Sequence, residues 1–340
     1  MVQKSMSMNK ALDILNLNGV VAFPTETVFG LGAKIDSDEA LKKIFSVKER
    51  PFFDPLIVHV DTVEKAKECF SQWNPVAECL AQNFWPGPIT LVMEKSKMIS
   101  DVITSGLPSV GVRIPNHPVA LELLQKIIIP LAAPSANKFG KTSPTTAVPV
   151  KKEFGDAVYV LESEVSCQIG IESTVLLVRK NLEISILRRG LIVKSEIEKV
   201  LELNKVSYKW IEVIDKKESP GHMKHHYMPE IPFVICRNPN MKVKEVAQIV
   251  NQKLSLLPDI VEGVKILKPK NTIAKIEFLK LAATPEQAAR EIYSQLRTAS
   301  ERKPDLLCLA LIKDYAQEPQ AEMWESVLDR LYKAASLVID

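Results

Sequence analysis

The sequence lacks an apolar run long enough to form a membrane-spanning helix. Such a helix needs about 18 consecutive apolar residues, and the 340 residues contain no run of that length. The segment from Met1 to Asn18 carries Asp13 and several polar residues where a secretory signal needs an unbroken apolar core. We therefore expect a cytoplasmic protein that has no membrane partner.

Cysteine and net charge are also low. The five cysteines are widely spaced, without a C-x-x-C pair, so neither a structural zinc site nor a disulfide framework is predicted. The formal charge of +3 is too small for the clustered basic face of a nucleic-acid-binding domain. Direct binding of tRNA or another polyanion is therefore not expected from charge alone.

Three motifs of nucleotide-binding and hydrolytic enzymes are missing. The sequence has neither the G-x-G-x-x-G fingerprint nor the G-x-x-x-x-G-K-[ST] loop, and Gly30 with Gly32 is only a partial match. Without a G-x-S-x-G elbow, Ser135 and Ser173 are not predicted to be acyl nucleophiles. Their hydroxyls are better suited to hydrogen-bonding a ligand.

Strand and helix signals alternate along the chain, which predicts an α/β protein with two domains. At 46% apolar and 25% charged residues, the composition is that of a globular chain with a sizeable core. We place the first domain at residues 1–211 and a linker or lid at 212–230, where the periodicity disappears between proline and glycine residues. A smaller α/β domain is predicted at residues 231–340.

Individual elements are predicted from capping residues and apolar runs. Asp36 with Glu39 has capping-box spacing ahead of a helical face, and Asn74 followed by Pro75 is typical of a helix start. In the second domain, strands are predicted at Phe233–Cys236, Val264–Leu267 and Leu306–Ile312, and helices near Val243–Leu254, Pro285–Ala299 and Met323–Leu337.

Six polar motifs follow or interrupt the apolar strands of the first domain. Strand ends that carry hydroxyls, amides and fixed cations are where an α/β sheet usually holds an anionic ligand, which predicts phosphate binding. The motifs are FPTETVFGLG (Phe23–Gly32), VKERP (Val47–Pro51), PLIVHV (Pro55–Val60), VGVRIP (Val110–Pro115), APSANKFGKTSPTT (Ala133–Thr146) and GIESTV (Gly170–Val175).

Two of these motifs supply candidate catalytic groups. Lys48 and Arg50 stand at a predicted helix end, where they either cap the helix or project into a cleft. Ser135 and Asn137 follow a strand in a turn that can present a hydroxyl, an amide and backbone N–H groups to a phosphate. The two motifs together favour a site over simple capping.

Two further side chains have both a structural and a functional interpretation. His59 lies in an apolar strand, where a single histidine is more often a hydrogen-bonded structural residue than a catalyst. Arg113 lies between apolar residues and needs an anionic partner, which is either an internal carboxylate or a ligand. The sequence leaves both alternatives open.

The ordered motifs resemble those of the YrdC-like threonylcarbamoyl-AMP synthases. FWPGPITLV, VGVRIPNHP and ILRRG extend the similarity to Ile192, and SPGHMKHHYMP (Ser219–Pro229) with EQAAREIYSQLR resembles the longer, two-domain form. The resemblance implies a twisted mixed sheet of the YrdC-like type with flanking helices, followed by a smaller Rossmann-like α/β domain.

The same resemblance implies an activity. L-threonine and bicarbonate would form a carbamate that attacks the α-phosphate of ATP, giving threonylcarbamoyl-AMP and pyrophosphate for tRNA modification. Mg²⁺ would enter with the ATP phosphates rather than through side chains, and a tRNA-modifying transferase complex would use the product. The alternative is a non-catalytic, translation-associated RNA-binding module on the same scaffold, which the near-neutral charge disfavours.

Residue roles are implied by matching motif positions. Lys48, Arg50, Ser135 and Asn137 would be catalytic, and the threonine-binding residues would be Thr27, His59, Arg113 and Ser173. The ATP-binding residues would be Arg50, Asp54, Ser109, Ser135, Ser143, Arg189 and Tyr227. Asp54 departs from the family's usual Asn, and a carboxylate beside a triphosphate is unfavourable unless Mg²⁺ lies between them. An extra His222 in the linker moves the expected lysine to Lys224.

Overall fold

The computed structural model describes residues 2–51, 54–213, 219–220, 223, 225–261, 263–269 and 272–340. The chain divides into two compact units. The first comprises residues up to 138 together with 144–222, and the second comprises Phe139–Ser143 and Met223–Asp340. The division after residue 222 lies within the predicted linker, whose exact limits stay a prediction. Linker residues 214–218, 221, 222 and 224, which include His222 and Lys224, lie outside the described residues.

Helices in the first unit begin at recognisable capping residues. The Asn74 side chain accepts a hydrogen bond from the Ala77 N–H and Pro75 is the first helical residue, as predicted. The predicted Asp36 cap is wrong, because Ser37 accepts the bond from the Ala40 N–H instead. The helices are α1 (Val2–Asn16), α2 (Asp38–Lys48), α3 (Val63–Cys69), α4 (Pro75–Phe84), α5 (Asp101–Thr104), α6 (Pro118–Ile127), α7 (Ala147–Phe154) and α8 (Lys194–Leu203).

The strands of the first unit form one mixed sheet. They are β1 (Val21–Phe23), β2 (Gly30–Lys34), β3 (Ile57–His59), β4 (Ile89–Glu94), β5 (Ser109–Arg113), β6 (Leu131–Ala132), β7 (Tyr159–Val160), β8 (Thr174–Val178), β9 (Glu183–Arg188) and β10 (Lys209–Trp210). Their order across the sheet is β10-β9-β8-β4-β5-β3-β6-β2-β1-β7. The sheet contains parallel pairs, such as β3 with β5, and antiparallel pairs, such as β4 with β5, which confirms the predicted mixed sheet.

The two faces of this sheet are covered differently. One face packs against α2, α3, α4, α5, α7 and α8 in the main apolar core. On the other face, α1 and α6 cover the half that contains β1 and β6. In the half formed by β4, β8 and β9, a small apolar cluster instead packs against Val213. Thr90, Ser173 and Arg188 of the candidate site lie along this second half.

The second unit contains a parallel four-stranded sheet, which confirms the predicted smaller α/β domain. Its order is β14-β15-β11-β16, and every pair is parallel. The elements are β11 (Phe233–Cys236), α9 (Val243–Ser255), β12 (Ile260–Val261), β13 (Val264–Lys265), β14 (Ile276–Leu279), α10 (Pro285–Glu301), β15 (Leu306–Ala310), α11 (Ala321–Ala334) and β16 (Leu337–Ile339).

Two details of the second unit differ from the sequence prediction. The strand predicted at Val264–Leu267 is shorter and pairs with β12 in a separate hairpin, outside the parallel sheet. The last helix ends at Ala334, which allows Leu337–Ile339 to join the sheet as an edge strand beside β11.

Candidate functional site

His59 and Arg113 lie opposite each other at the ends of the parallel strands β3 and β5. The Arg113 Nε donates a hydrogen bond to the His59 Nε2 at 3.1 Å, and the His59 Nδ1 lies 3.1 Å from the Ile57 carbonyl. Because an arginine can only donate, Nε2 is the acceptor and Nδ1 carries the proton. Burial and the neighbouring Arg113 hold the pKa of His59 well below its ordinary value. The imidazole is therefore neutral.

A carboxylate and a hydroxyl complete the surroundings of Arg113. The Glu26 oxygens lie 3.4 and 3.5 Å from the two terminal nitrogens of the guanidinium, and the Thr27 hydroxyl accepts from Nη2 at 3.2 Å. Glu26 also accepts a hydrogen bond from the Asn116 N–H at 3.1 Å. Burial lowers the pKa of Arg113 and Glu26 opposes that shift. Arg113 therefore has an internal carboxylate partner, which is one of the two alternatives predicted from the sequence.

Arg188 continues the row of polar side chains that begins with His59 and Arg113 and runs across the strands of the sheet. It donates to the Ser173 carbonyl and hydroxyl, each at 3.1 Å, and the Ser173 hydroxyl lies 2.8 Å from that of Thr90. Continuing the strand register places Thr90 opposite Arg113 and Val175, and Val175 pairs with Arg188. Arg188 is also close enough to lower the pKa of Arg113 further. We refer to His59, Arg113 and Arg188 as the sheet cluster.

The sequence indicated Arg189, but the structure buries Arg188 in the row and leaves Arg189 exposed. The reason is a bulge in β9. Val175 pairs with Arg188 while Leu176 pairs with Ile186, so Leu187 is an extra residue in the ladder. In a regular strand, side chains alternate between the two faces, so Arg188 would lie on the same face as Ile184 and Ile186. The extra residue in the bulge turns the Arg188 side chain to the opposite face.

Lys48 is the last residue of α2, and it links that helix to the turn after β6. Its Nζ donates to the Ser135 carbonyl at 2.5 Å and to the Asn137 carbonyl. The structure therefore brings together the three predicted catalytic residues Lys48, Ser135 and Asn137. Burial, then repulsion from Arg50, lowers the pKa of Lys48 well below its ordinary value. The two carbonyl acceptors act in the opposite direction, because they favour the charged ammonium.

Arg50 and Asp54 form a closed ion pair four residues apart. The Arg50 Nη2 lies 2.9 Å from an Asp54 carboxylate oxygen, and it also donates to the Pro55 carbonyl at 2.9 Å. Asp54 is fully buried. The carboxylate that departs from the family pattern is thus neutralised inside its own loop. We refer to Lys48, Arg50 and Asp54 as the loop cluster.

The turn that receives Lys48 is itself held by side chains. The Asn137 amide donates to the Lys138 carbonyl at 2.7 Å, and the Lys138 N–H donates to the Glu153 carboxylate at 2.6 Å. Asn137 is buried, whereas Ser135 is half-buried and keeps part of its surface accessible. The turn is therefore rigid, and one of its predicted functional hydroxyls remains reachable.

Three predicted ATP-binding residues lie elsewhere. Ser109 begins β5, so at about 3.3 Å per residue it lies about 13 Å along the strand from Arg113, on the same face. Ser143 and Tyr227 belong to the second unit. Tyr227 is buried there at a positive φ of 65°, with its ring 5.6 Å from that of Tyr293.

The described part of the predicted linker contacts the sheet cluster within the first unit. Arg188 Nη1 donates to the Pro220 carbonyl at 3.3 Å, and Val213 packs against the apolar cluster of β4, β8 and β9. Across the described ranges, no three His, Cys, Asp or Glu side chains are placed to hold a metal ion. None of the helices in these ranges is long and apolar enough to cross a membrane.

Sequence reasoning missed Arg188, Thr90 and the pairing role of Glu26. Glu26 stands in the T-E-T motif, where it was interpreted as part of a turn. One available signal was Arg113 itself, since a buried guanidinium requires a carboxylate or a ligand. Thr90 gave a weaker signal as a hydroxyl in the otherwise apolar run Ile89–Met93.

Comparisons with known proteins cover nearly the whole chain. A family model described as "Telomere recombination" and named for Sua5, YciO and YrdC proteins matches residues 13–190. A second model, described as the C-terminal domain of threonylcarbamoyl-AMP synthase, matches residues 192–336. Together the two models span both units.

Curated relatives and a solved structure agree with the family models. The threonylcarbamoyl-AMP synthase of Bacillus subtilis is 33% identical over 330 residues, which is 96% of this chain and 92% of the relative. That of Pyrococcus abyssi is 34% identical over 318 residues, with 93% and 90% coverage. The crystal structure of P. abyssi Sua5 complexed with L-threonine superposes with a TM-score of 0.79 at 30% identity, covering 98% of this chain and 96% of that one.

Proposed function

The chain belongs to the Sua5–YciO–YrdC family in its two-domain, threonylcarbamoyl-AMP synthase form, and we propose that it is an L-threonylcarbamoyladenylate synthase. It is a nucleotidyltransferase that converts L-threonine, bicarbonate and ATP to threonylcarbamoyl-AMP, pyrophosphate and water. This reaction is the first step of threonylcarbamoyladenosine formation in tRNA. The observation that carries the proposal is the set of buried cations in the sheet and loop clusters. The alternative of a non-catalytic RNA-binding module is not favoured, because the relatives that match nearly the whole chain carry the synthase name.

Arg113 is suited to the carboxylate of L-threonine. Tight charge-assisted contacts between a guanidinium and a carboxylate measure about 2.7 to 2.9 Å, whereas Glu26 lies at 3.4 and 3.5 Å. The loose pair with Glu26 favours the charged form of Arg113 but does not use the full hydrogen-bonding capacity of its terminal nitrogens. Because His59 is neutral and accepts from Nε, it fixes the plane of the guanidinium and adds no competing positive charge. A ligand carboxylate can therefore approach the terminal nitrogens.

The hydroxyls of the same row are suited to the rest of the amino acid. Thr27 contacts Arg113, and its hydroxyl lies 2.8 Å from that of Thr25. Ser173 is held between Thr90 and Arg188. Hydroxyls fixed in this way can exchange hydrogen bonds with the threonine hydroxyl, and such sites reject analogues that lack the partner group. We expect L-threonine to be strongly preferred over L-valine.

The loop cluster and its turn are suited to the phosphates. An ammonium has three donors, and within the described part of the chain two of those of Lys48 are directed at carbonyls. The third can meet a phosphoryl oxygen. A preorganised cation in a buried site stabilises charge that develops in the transition state far better than one in water. The Ser135 hydroxyl and the Asn137 turn would bind the same nucleotide.

The reaction needs no nucleophilic side chain. The threonine amine and bicarbonate condense to a carbamate with loss of water, a carbamate oxygen attacks the α-phosphorus of ATP, and pyrophosphate leaves with the bond electrons. Arg113 and the hydroxyls orient the carbamate, and Lys48 offsets the charge on the phosphoryl oxygens. The described part of the linker that reaches Arg188 supports a cover over this region, which would exclude water from the mixed anhydride.

Mg²⁺ fits this scheme as part of the ATP substrate. The buried carboxylate of the loop cluster is committed to Arg50, so the donor set offers Mg²⁺ no ready protein carboxylate there. Phosphate oxygens and water are sufficient ligands for this ion. We also propose that the protein acts in the cytoplasm and that a tRNA-modifying transferase complex consumes the product. The contacts of Asp54, Ser109, Ser143, Arg189 and Tyr227 with ATP remain predictions.

The proposed function is tested by asking whether product formation requires both L-threonine and bicarbonate. Purified protein is given ATP, Mg²⁺, L-threonine and labelled bicarbonate, and pyrophosphate and labelled product are measured together. We expect equal amounts of both, and loss of both when either threonine or bicarbonate is omitted, because the attacking carbamate requires the two. A parallel reaction with L-valine should give little product. Pyrophosphate release that is indifferent to threonine or to bicarbonate would refute the assignment.

A further inference from the structure

Five residues of the first domain's sequence, Phe139–Ser143, belong structurally to the second unit. They include the predicted ATP-binding Ser143, and they are held there by main-chain hydrogen bonds. The Met228 N–H donates to the Gly140 carbonyl at 2.8 Å, and the Thr142 N–H donates to the Met228 carbonyl at 3.2 Å. Lys141 and Met228 form a parallel bridge. The second unit therefore sets the backbone path of this segment.

Side chains lock the peptide that precedes Ser143. The Thr142 hydroxyl donates to the Tyr227 carbonyl at 3.0 Å, and the Arg297 Nη2 donates to the Thr142 carbonyl. That carbonyl belongs to the peptide group whose N–H is on Ser143. Fixing it therefore fixes the direction of the Ser143 N–H and limits the position of its hydroxyl. Arg297 extends from α10, a regular 17-residue helix, which makes it a rigid support.

Gly140 brings the backbone of this segment into close contact with the side chain of Val264. Gly140 has a φ of +72°, and a Cβ there would lie 3.0 Å from a Val264 methyl carbon. Val264 and Met228 form a small apolar cluster with Phe139 packed against it. A segment clamped by hydrogen bonds on one side and by apolar contact on the other has little freedom to adjust when a ligand arrives.

We propose that Arg297 is a positioning residue for the nucleotide, and that the second domain contributes to synthesis by holding the Thr142–Ser143 peptide ready for a phosphate. The proposal rests on the proposed function through the ATP contact of Ser143. It predicts a specific kinetic pattern. Loss of Arg297 weakens the use of ATP, and the use of threonine is left intact because the sheet cluster is unchanged.

The kinetic test compares two arginines at the same end of α10. Arg297→Met should raise the KM for ATP about tenfold with little change in the KM for threonine, and Arg297→Lys should recover part of the loss because an ammonium can still donate to the Thr142 carbonyl. Arg302→Met is the matched control, since Arg302 is exposed and pairs with Glu277 at the surface. Equal increases in both KM values, or the same effect in Arg302→Met, would overturn the proposal.

A second measurement separates positioning from the assigned reaction. Hydrogen exchange of the Thr142 amide should be slow in the parent protein, slower still with ATP, and at least about tenfold faster in Arg297→Met. Unchanged exchange in that variant overturns the positioning role whether or not the protein makes threonylcarbamoyl-AMP. Faster exchange with an unchanged KM for ATP overturns the link to the nucleotide. If Arg297→Met does not fold, Arg297→Lys and Arg297→Gln are compared in the same way.

Discussion

The loop cluster and the sheet cluster both bury cations, but the cations are held by different partners. Lys48 of the loop cluster donates to the main-chain carbonyls of Ser135 and Asn137. Arg113 of the sheet cluster instead contacts the side chains of His59 and Glu26. The second cation of each cluster is held by both kinds of partner, since Arg50 pairs with the Asp54 carboxylate and donates to the Pro55 carbonyl, and Arg188 donates to the carbonyl and the hydroxyl of Ser173. Main-chain acceptors are fixed once the loop has folded, whereas side-chain acceptors depend on particular residues and on their protonation.

This difference indicates a division of roles. A cation fixed by carbonyls keeps its charge and position through the reaction, which suits the stabilisation of a transition state. A cation balanced by a loosely paired carboxylate can exchange that partner for a ligand carboxylate, which suits ground-state recognition of an amino acid. We therefore expect changes in the loop cluster to affect turnover and changes in the sheet cluster to affect threonine binding.

The largest expected effect comes from Lys48. Lys48→Ala should lower kcat/KM by about 2 to 4 kcal/mol in transition-state free energy, or about 30- to 1000-fold, because one preorganised charge donor is lost. Burial lowers the pKa of Lys48, so the active ammonium deprotonates at a lower pH than an ordinary lysine. Activity should thus fall as the pH rises through that lowered pKa. Initial rates of pyrophosphate release against pH measure both effects.

Lys42→Ala is the control for this experiment, since Lys42 is an exposed lysine of the same helix. It should keep the parent rate and the parent pH profile. Lys48→Arg should move the alkaline fall to higher pH, because a guanidinium stays charged. Parent-like kcat/KM in Lys48→Ala would mean that Lys48 only caps α2, and the contrast between the clusters would disappear.

Sequence motifs predicted that Lys48 meets the turn that contains Ser135 and Asn137, but not that Arg50 pairs with Asp54. VKERP and the S-x-N turn are short, local patterns, and the buried lysine between them needs acceptors that the turn can supply. The mixed sheet and the second α/β domain were also predictable, because apolar runs and helical periodicity are local properties of the chain. The start of α2 was misplaced by one residue, since Asp36 and Ser37 are both competent caps.

The sheet cluster was less predictable because it depends on register. Arg188 reaches the row only through the bulge at Leu187, and nothing in ILRRG distinguishes a bulged strand from a regular one. Thr90 and Ser173 are 83 residues apart and meet because β4 pairs with β8. The place of Phe139–Ser143 in the second unit was likewise hidden, since its partners Met228 and Arg297 are far away in sequence.

A smaller effect is expected from Glu26, the carboxylate that pairs with Arg113 of the sheet cluster. Glu26→Gln keeps an acceptor for the Asn116 N–H but removes the charge beside Arg113, so the unfolding free energy should fall by about 1 to 3 kcal/mol. L-threonine brings a replacement carboxylate. The stabilisation by threonine in thermal unfolding should therefore be larger in the variant than in the parent.

Glu153→Gln is the matched control for Glu26→Gln. Glu153 also accepts a backbone N–H, that of Lys138, but it lies beside the loop cluster. The Glu153→Gln variant should be less stable than the parent, and its stabilisation by threonine should be unchanged. A threonine response that is the same in Glu26→Gln as in the parent would argue that Arg113 is a structural ion pair and does not bind the ligand.

The smallest expected effect is the acid sensitivity of the sheet cluster, which comes from His59. Burial and Arg113 hold the pKa of His59 well below its ordinary value, so the unfolded chain binds a proton first as the pH falls. The contribution to stability is complete above about pH 6.5 and is lost below it, at up to about 1.4 kcal/mol per pH unit. Urea unfolding between pH 7 and 5 should show this slope, and His59→Gln should flatten it.

His117, the cap of α6, is the comparison, because burial also lowers its pKa. The variant His117→Asn keeps a capping side chain but removes the titrating group. Flattening in His117→Asn with none in His59→Gln would place the acid sensitivity at the start of α6, outside the sheet cluster.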